Sequence, residues 1–395
     1  MTDPTTIDPS SDPLACEDLS PGELSAALAL RDLSDPRQGP HAMQHVLDGI
    51  EHALASRWSI PSVTHRPSPV VPVADNYDRL GFGADAVTRD RRYSRYLGPA
   101  VMLRSHTSAA IPDLLGSLAR TGDADVLHVL PGLVYRRDAI DRTHTAAPHQ
   151  LDLWRMRDGD ATDATGPLGI DDLDAMIDAV VTAVLPGAQW RTVSSPHPYT
   201  EHGRQVDVRV GGDWLELAEC GLVARDLLSR CGLDAERWSG LALGLGLDRA
   251  LMLRKGIPDI RVLRSSDPRI REQLLDLEPW RPVSAMPPVR RDISIVVAED
   301  ADEETLGDRA RSAMGADADD VEEVSVLAMT THAALPERAR ARLGTRTGQA
   351  NALVRVVLRP LDRTLTDREA NIIRDRVYRA LHEGPHQELI ASTPS

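Results

Sequence analysis

The sequence predicts an α+β fold built on an antiparallel sheet, and two observations support this prediction. Between residues 101 and 261, short apolar runs follow one another directly and are separated by turn residues, as in strands paired with their neighbours. The helices predicted in this region lie outside these runs and do not alternate with them, which argues against a doubly wound parallel sheet. The length of 395 residues is enough for two or three domains.

The elements of the larger part can be assigned in chain order. Residues 1–20 are rich in Asp, Pro, Ser and Thr, and they are predicted to form a disordered tail. A serine cap followed by proline predicts a first helix from residue 20 to about residue 31, and an amphipathic helix follows over 41–58. Residues 60–73 should be extended. Further strands are predicted at 126–130, 133–137, 150–156, 206–210 and 214–217, and further helices at 111–120, 170–184 and 247–255.

A proline-rich segment separates a second, smaller domain. Four prolines between residues 279 and 288 predict a linker, so residues 21–278 should form the first domain and residues 289–395 the second. The second domain has the order β-α-β-β-α, which favours a ferredoxin-like fold. Its strands are predicted at 292–297, 321–329 and 352–358, and its helices at 303–314 and 367–382.

Composition excludes several classes of protein. The net charge of −15 argues against indiscriminate nucleic-acid binding, although it leaves room for a local basic surface. No long uncharged apolar run predicts a membrane span, and the N-terminus has no secretory pattern. Three cysteines, Cys16, Cys220 and Cys231, are too few for a disulfide framework, which favours a reducing cytoplasm.

Polar side chains are concentrated in four segments that also contain strand-like apolar residues. These segments are 103–109, 134–144, 149–152 and 240–249. The last contains Gly244 and Gly246 followed by Arg249 at a predicted helix start, where an arginine can reach a phosphate. It is not a dinucleotide fingerprint because the third glycine is absent. Solvated strand faces and close helix–sheet packing are the alternatives for such segments.

Taken together and in order, the four segments resemble the phenylalanine–tRNA ligase family of class II aminoacyl-tRNA synthetases. Residues 104–108 (RSHTS) resemble the family's RTHTS, residues 135–144 (YRRDAIDRTH) resemble its motif 2, and residues 149–152 (HQLD) resemble HQVE. Residues 214–221 (WLELAECG) resemble WLEILGCG, and residues 240–261 resemble motif 3 with its GIPDIR ending. The second domain resembles the ferredoxin-fold anticodon-binding domain, as in the single-chain organellar type.

The resemblance implies a class II synthetase catalytic core that uses ATP and Mg²⁺ to make an aminoacyl adenylate for transfer to tRNA. By position, Arg136 would hold the α-phosphate and the substrate carboxylate, and Arg249 would hold the γ-phosphate. His144 would lie near the phosphates and Asp138 near the adenine amine. Glu216 is the implied Mg²⁺ ligand, because hard oxygen ligands suit this ion. Gly246 of motif 3 completes the implied ATP site.

The resemblance also implies an amino-acid pocket, and this pocket departs from the family pattern. The implied substrate contacts are His106, Ser108, Gln150, Asp152, His197, Tyr199, Leu241, Ala242 and Leu243. His197 and Tyr199 replace two phenylalanines of the family, and Leu241 and Leu243 replace two others. Polar groups left unpaired by a hydrocarbon side chain would cost about 1–3 kcal/mol each. Two interpretations stay open: the substrate is a more polar amino acid, or the pocket adjusts and accepts phenylalanine.

The second domain offers arginines for tRNA. Arg338, Arg340, Arg342 and Arg346 are predicted to lie along one loop, where they could bind phosphates. A charge-balanced solvated loop is the alternative. Two other functions remain open, namely a paralogue that passes the activated amino acid to a non-tRNA acceptor and a non-catalytic tRNA-binding regulator. The protein is expected to be a monomer or a homodimer, with no membrane partner.

Overall fold

The computed structural model describes residues 18–121, 125–159, 166–283 and 287–387 of the chain. Most of the predicted tail over 1–20 therefore lies outside the described residues, as do the last residues of the second predicted domain. No helix among the described residues is both long enough and apolar enough to cross a membrane.

A seven-stranded sheet forms the centre of the first part of the chain. The described strands of this part are β1 (Ser62–Thr64), β2 (Val70–Pro72), β3 (Val101–Leu103), β4 (Asp125–Leu133), β5 (His149–Asp158), β6 (Trp190–Ser194), β7 (Thr200–Val210), β8 (Asp213–Val223) and β9 (Trp238–Gly246). The order in the large sheet is β1-β4-β5-β9-β8-β7-β6, and all pairs are antiparallel except β1 with β4. The prediction of an antiparallel α+β sheet is confirmed.

Helices cover one face of this sheet and leave part of the other face open. The described helices of this part are α1 (Pro21–Leu28), α2 (Ala42–Trp58), α3 (Ile111–Thr121), α4 (Ile170–Val184), α5 (Arg225–Arg230), α6 (Leu247–Lys255) and α7 (Pro268–Gln273). Apolar residues of α2 and α4 pack with Leu151, Leu153, Leu241 and Leu243 of the sheet in one buried cluster. Because side chains alternate along a strand, the residues between these leucines face the opposite side.

The strand predicted at 126–130 lies within β4, but the strand predicted at 133–137 was wrong. Only residue 133 of it belongs to β4, and residues 134–144 continue as irregular chain with one isolated bridge from Arg136 to Ser94. Residues 104–106 also lie beyond the end of β3 and lead into a short 3₁₀ turn at Thr107–Ala110. Backbone groups freed from the sheet bind side chains here: Asn76 accepts from the Ser105 N–H at 3.1 Å.

A three-stranded antiparallel sheet with its own hydrophobic core forms the second part of the chain. Its elements are β10 (Val289–Ala298), α8 (Glu303–Met314), β11 (Val321–Thr331), α9 (Glu337–Leu343), β12 (Gln349–Leu358) and α10 (Asp367–Leu381). The strand order is β10-β12-β11, and α8 packs against α10. The order β-α-β-β-α agrees with the prediction except for α9, which the sequence did not indicate. Residues 284–286 of the predicted linker lie outside the described residues.

The second sheet unit holds the irregular segment that follows β4. Ile140 lies in the hydrophobic cluster of the second unit, and the Val324 N–H donates to its carbonyl at 2.9 Å. The Asp308 carboxylate accepts from Arg137 at 2.8 Å and pairs with Arg95, while Arg311 donates to the carbonyls of residues 138 and 139. Contacts from the second sheet unit therefore hold this segment in place.

Candidate active site

A cavity of about 630 Å³ opens on the face of the large sheet that the helices leave free. Its floor comes from β5, β8 and β9, where alternation directs Gln150, Asp152 and Trp154 towards the cavity. Asp152 lies opposite Gly244 on β9, and a Cβ at position 244 would lie 2.9 Å from the Asp152 Oδ1 atom. A glycine is required there because any side chain would displace the carboxylate.

One end of the cavity presents a buried carboxylate. Burial raises the pKa of Asp152 to about 6, and the nearby Ser108 and Thr107 side chains offset only part of this effect. The Oδ2 atom of Asp152 is buried and has no hydrogen-bond partner. Burying a carboxylate without a partner is energetically unfavourable unless a cation neutralises its charge. This end of the cavity therefore fits an ammonium group.

His106 also lines the cavity, and it is neutral. Burial, together with the nearby Arg136 charge, lowers the pKa of His106 to about 3. Neither of its shielded ring nitrogens has a hydrogen-bond partner. Gln150 is fixed, because its Oε1 accepts from the Thr107 N–H at 3.3 Å. His106 thus has spare hydrogen-bonding capacity towards a ligand.

Arg136 provides the positive charge between the two ends of the cavity. Its Nε donates to the Ser105 carbonyl at 2.7 Å, which orients the guanidinium, and burial lowers its pKa. An arginine stays protonated in proteins despite such a shift. Its other donors face a site with no fixed anionic partner within hydrogen-bonding distance among the described residues. An anion such as a phosphate or carboxylate fits here.

The other end of the cavity combines an arginine, a histidine and two carboxylates. His144 Nδ1 lies 2.7 Å from Asp141 Oδ2, and this hydrogen bond raises the pKa of His144 and so favours its charged form. Arg249, in the first turn of α6, donates to the Glu216 carbonyl at 3.4 Å and lies 3.9 Å from its carboxylate. Asp138 also lines the cavity, and burial raises its pKa.

A polar pair forms the wall next to the buried carboxylate. His197 Nε2 lies 3.0 Å from Glu219 Oε2, and the Ser195 hydroxyl donates to Glu219 Oε1 at 2.9 Å. The rings of His197 and Tyr199 are 5.6 Å apart, and Tyr199 stacks on Trp154 at 6.2 Å. Glu219 was not among the residues predicted from the sequence. The signal was available, because WLEILGCG has glycine where this chain has Glu219.

The structure brings nearly all of the predicted site residues together. The predicted residues that line the cavity are His106, Ser108, Arg136, Asp138, His144, Gln150, Asp152, His197, Tyr199, Glu216, Ala242, Leu243, Gly246 and Arg249. Leu241 was predicted to contact the substrate and does not line the cavity: it is fully buried in the core behind the sheet. Leu243 touches the cavity, but it packs in the same core. The reason is alternation, since of these three neighbours only Ala242 lies on the cavity face.

Leu241→Ala is expected to destabilise the fold and to leave substrate recognition unchanged. Removing a fully buried leucine side chain costs about 2–5 kcal/mol of unfolding free energy. Urea unfolding should show the loss, while the KM for the activated amino acid stays within about twofold. A matched change on the exposed surface, Leu275→Ala, should alter neither quantity. A large rise in KM for Leu241→Ala would place this residue in the pocket after all.

The prediction that the four arginines of the second unit share one loop was wrong. Arg338, Arg340 and Arg342 lie on helix α9, and only Arg346 lies in the loop that follows. Alternating Arg and Ala residues after a proline are compatible with a helix as well as with a loop, so composition alone did not distinguish between the two structures. Arg338 and Arg342 are four residues apart and share one exposed helix face, whereas Arg340 points elsewhere.

The fold and the cavity together define a class of protein. A mostly antiparallel sheet carries one arginine on the segment after β4 and a second at the start of the helix after β9, and both line a cavity that also contains a buried carboxylate. This is the arrangement of the catalytic core of class II aminoacyl-tRNA synthetases. The family described as "tRNA synthetases class II core domain (F)" matches residues 38–274 of the chain.

Curated relatives narrow the family further. The chain is 30% identical to the chloroplastic/mitochondrial phenylalanine–tRNA ligase of Arabidopsis thaliana over 82% of this chain and 71% of that protein. It is 27% identical to the mitochondrial phenylalanine–tRNA ligase of Saccharomyces cerevisiae over 89% of this chain and 88% of that one. The chain belongs to the phenylalanine–tRNA ligase family, a family of aminoacyl-tRNA ligases, and the predicted resemblance is confirmed.

A second kind of relative matches only the catalytic part. The phenylalanine–tRNA ligase alpha subunit of Prochlorococcus marinus (strain MIT 9313) is 38% identical over 50% of this chain and 56% of that subunit. The chain therefore spans about half the length of such alpha subunits, whereas it matches the organellar ligases over most of their length. The agreement with the organellar type includes the second sheet unit.

Proposed function

We propose that this protein activates an amino acid with ATP and transfers the aminoacyl group to tRNA. The observation that carries the proposal is one cavity in which a buried, unpaired carboxylate, Asp152, lies on the same sheet face as two phosphate-binding arginines, Arg136 and Arg249. These groups match the three charges of the reacting pair, namely an ammonium, a carboxylate and a polyphosphate. Curated relatives carry the name of tRNA ligases, which does not favour a non-tRNA acceptor.

The amino acid would bind with its ammonium on Asp152 and its carboxylate near Arg136. Ser108, Gln150 and His106 surround this position and offer hydrogen bonds. The carboxylate oxygen attacks the α-phosphate, the bond from that phosphorus to the bridging oxygen breaks, and pyrophosphate leaves. No proton has to move in this step, so catalysis depends on positioning and on charge neutralisation by Arg136.

The phosphates would extend towards His144 and Arg249, with Asp138 near the adenine. Gly244 and Gly246 have no side chains that project into the cavity, so a ligand can approach the backbone closely. Glu216 would hold Mg²⁺, and one carboxylate together with phosphate oxygens suits this ion. When bound, Mg²⁺ neutralises phosphate charge. The chemistry of the residues present fits this use.

The second sheet unit would bind tRNA. We assign residues 21–278 to the catalytic domain, 279–288 to a linker and 289–395 to an anticodon-binding domain. Arg338, Arg342 and Arg346 are exposed on α9 and on the loop after it, with Arg340 partly covered beside them. Arginines at this spacing are suited to contacts with successive phosphates. A monomer or a homodimer and a cytoplasmic location stay predictions, and the single-chain relatives are named as organellar.

Amino-acid-dependent exchange of pyrophosphate into ATP tests the activation step. With Mg²⁺ and a panel of amino acids, the protein is expected to support exchange with at least one acid, and Arg249→Ala should abolish it. Arg57→Ala, a change at an exposed arginine on α2, is the matched control and should retain full exchange. The absence of exchange with every acid, even with tRNA present, would overturn the proposal.

The double variant Arg338→Ala, Arg342→Ala is expected to weaken tRNA binding and to reduce its salt dependence. Each lost phosphate contact should lower the slope of log K against log salt by about 1. Filter binding at several salt concentrations measures both quantities. Arg368→Ala, at an exposed arginine on α10, is the control. Equal affinities for the double variant and the control would remove α9 from the proposed tRNA surface.

A further inference from the structure

The wall of the cavity contains a charged pair in a place where a plain hydrocarbon side chain would need an apolar surface. His197 and Glu219 are bound to each other at 3.0 Å, and the pairing raises the pKa of His197 and lowers that of Glu219. Both shifts favour the charged forms. The His197 side chain is 18% exposed and the Glu219 side chain 42% exposed, so Glu219 still meets solvent through the cavity.

The pair lies beside the place of the reacting groups. Glu219 faces Gly244 across the strand pair β8 and β9, and Asp152 faces the same Gly244 from β5. The two carboxylates thus flank one glycine on the cavity floor. The charge of Glu219 also acts on Arg136, and the charge of Asp152 acts on His197. His197 and Glu219 therefore lie within reach of the side chain of a ligand whose ammonium binds Asp152.

A bound amino acid would remove water from this pair. A carboxylate accepts about four hydrogen bonds, and the described residues supply two of them to Glu219, from His197 and from Ser195. A hydrocarbon side chain that covers the rest would leave a charged group under-solvated, which is unfavourable for a buried ion pair without further hydrogen bonds. A side chain with its own donor would replace the water that it displaces.

The charges around the amino-acid end of the cavity are already matched without the substrate side chain. Glu219 is balanced by His197, Asp152 would be balanced by the substrate ammonium, and Arg136 by the substrate carboxylate. A charged side chain would add an uncompensated charge to a partly buried site, at a further cost. Tyr199 and Trp154, stacked next to the pair, provide flat aromatic surface for the remainder of the side chain.

We propose that the amino acid activated by this protein has a neutral side chain that donates a hydrogen bond through a hydroxyl or amide group, and that phenylalanine is a poor substrate. The inference rests on the proposed activation of an amino acid and specifies its substrate class. His197 and Glu219 are the specificity-determining residues.

Pyrophosphate exchange with phenylalanine, tyrosine, meta-tyrosine, threonine, glutamine, lysine and glutamate tests this inference. A hydroxyl or amide amino acid should have a kcat/KM at least about a hundredfold above that of phenylalanine, since a site built for a polar group discriminates strongly against its absence. Exchange that is best with phenylalanine would overturn the inference and leave the proposed activity standing. Exchange that is best with lysine or glutamate would overturn it as well. No exchange with any acid would instead remove the proposed activity, and the inference with it.

Variants of His197 and Glu219 provide a second test, in which the preference between amino acids is measured. The double variant His197→Phe, Glu219→Gly should raise the kcat/KM for phenylalanine relative to the preferred amino acid by at least about tenfold. Glu219→Gln keeps the size of the side chain, and it should shift the same ratio in the same direction if the double variant does not fold. Glu272→Gln on α7 and His52→Phe on α2, both at exposed positions, are the matched controls. An unchanged ratio in both Glu219 variants would exclude the pair as the determinant.

Discussion

Replacement of Arg136 by alanine should lower the kcat/KM for adenylate formation by about a thousandfold. Its guanidinium is buried and oriented by the bond to the Ser105 carbonyl, so in the proposed reaction it would be preorganised for the charge that develops on the α-phosphate. Removing one such donor typically costs about 10²–10³ in rate, and the loss of a full charge lies at the upper end. Pyrophosphate exchange at saturating ATP measures the effect.

Arg136→Lys separates charge from geometry. A lysine keeps the charge but loses the planar donor set, so it should recover only part of the activity. Arg120→Ala, at an exposed arginine on α3, controls for the loss of a surface charge. Activity within tenfold of the wild type for Arg136→Ala would mean that the α-phosphate binds elsewhere.

Asp152→Asn should raise the KM for the amino acid on the order of a hundredfold with a smaller change in kcat. Removing one partner of a buried charge pair costs about 2–5 kcal/mol, and 1.4 kcal/mol corresponds to a factor of ten. The asparagine keeps the shape beside Gly244 but cannot neutralise an ammonium. Initial rates of exchange over a range of amino-acid concentrations give the two constants.

The KM for the amino acid should also depend on pH in the wild type and not in Asp152→Asn. Burial raises the pKa of Asp152 to about 6, so the carboxylate is ionised above that pH and becomes protonated below it. The KM of the wild type for the amino acid should therefore rise as the pH falls through about 6, and that of Asp152→Asn should not follow. A bound ammonium lowers the pKa of Asp152 in the enzyme–substrate complex. The pH profile of kcat/KM reports on the free enzyme, so it is the profile to compare. Parallel profiles for the two proteins would assign the ammonium to another group.

The sequence predicted the catalytic framework well because its motifs combine local signals. The helix α6 was predicted at Leu247–Lys255 with the observed bounds, whereas the strand β9 before it was recognised only as a polar segment with strand-like residues. Arg136, Asp138, Asp152, Glu216 and Arg249 of the cavity were found because each lies in a motif of several matched residues. The elements that were missed, such as α5 and α9, are short helices whose few residues leave little periodicity to recognise.

The errors at the site share one physical cause, the side-chain direction. Leu241 and Leu243 stand on either side of Ala242, and a list of motif positions does not say which of the three faces the cavity. Only the register with β5, where Trp154 lies opposite Ala242, decides this. Glu219 was missed for a similar reason, because its partner His197 lies 22 positions away and the pair forms only when β7 and β8 are in place.

The position of Ile140 makes the geometry of the active site depend on the second sheet unit, although this unit contributes no arginine to the reaction. This isoleucine belongs to the segment that carries Arg136 and His144, yet its side chain packs in the core formed by β10, β12, α8 and α10. If heat melts that core, the isoleucine loses its apolar surroundings and the segment loses its contacts with Asp308, Arg311 and Val324, even while the large sheet remains intact. Melting of the smaller unit should therefore be enough to inactivate the synthetase chemistry.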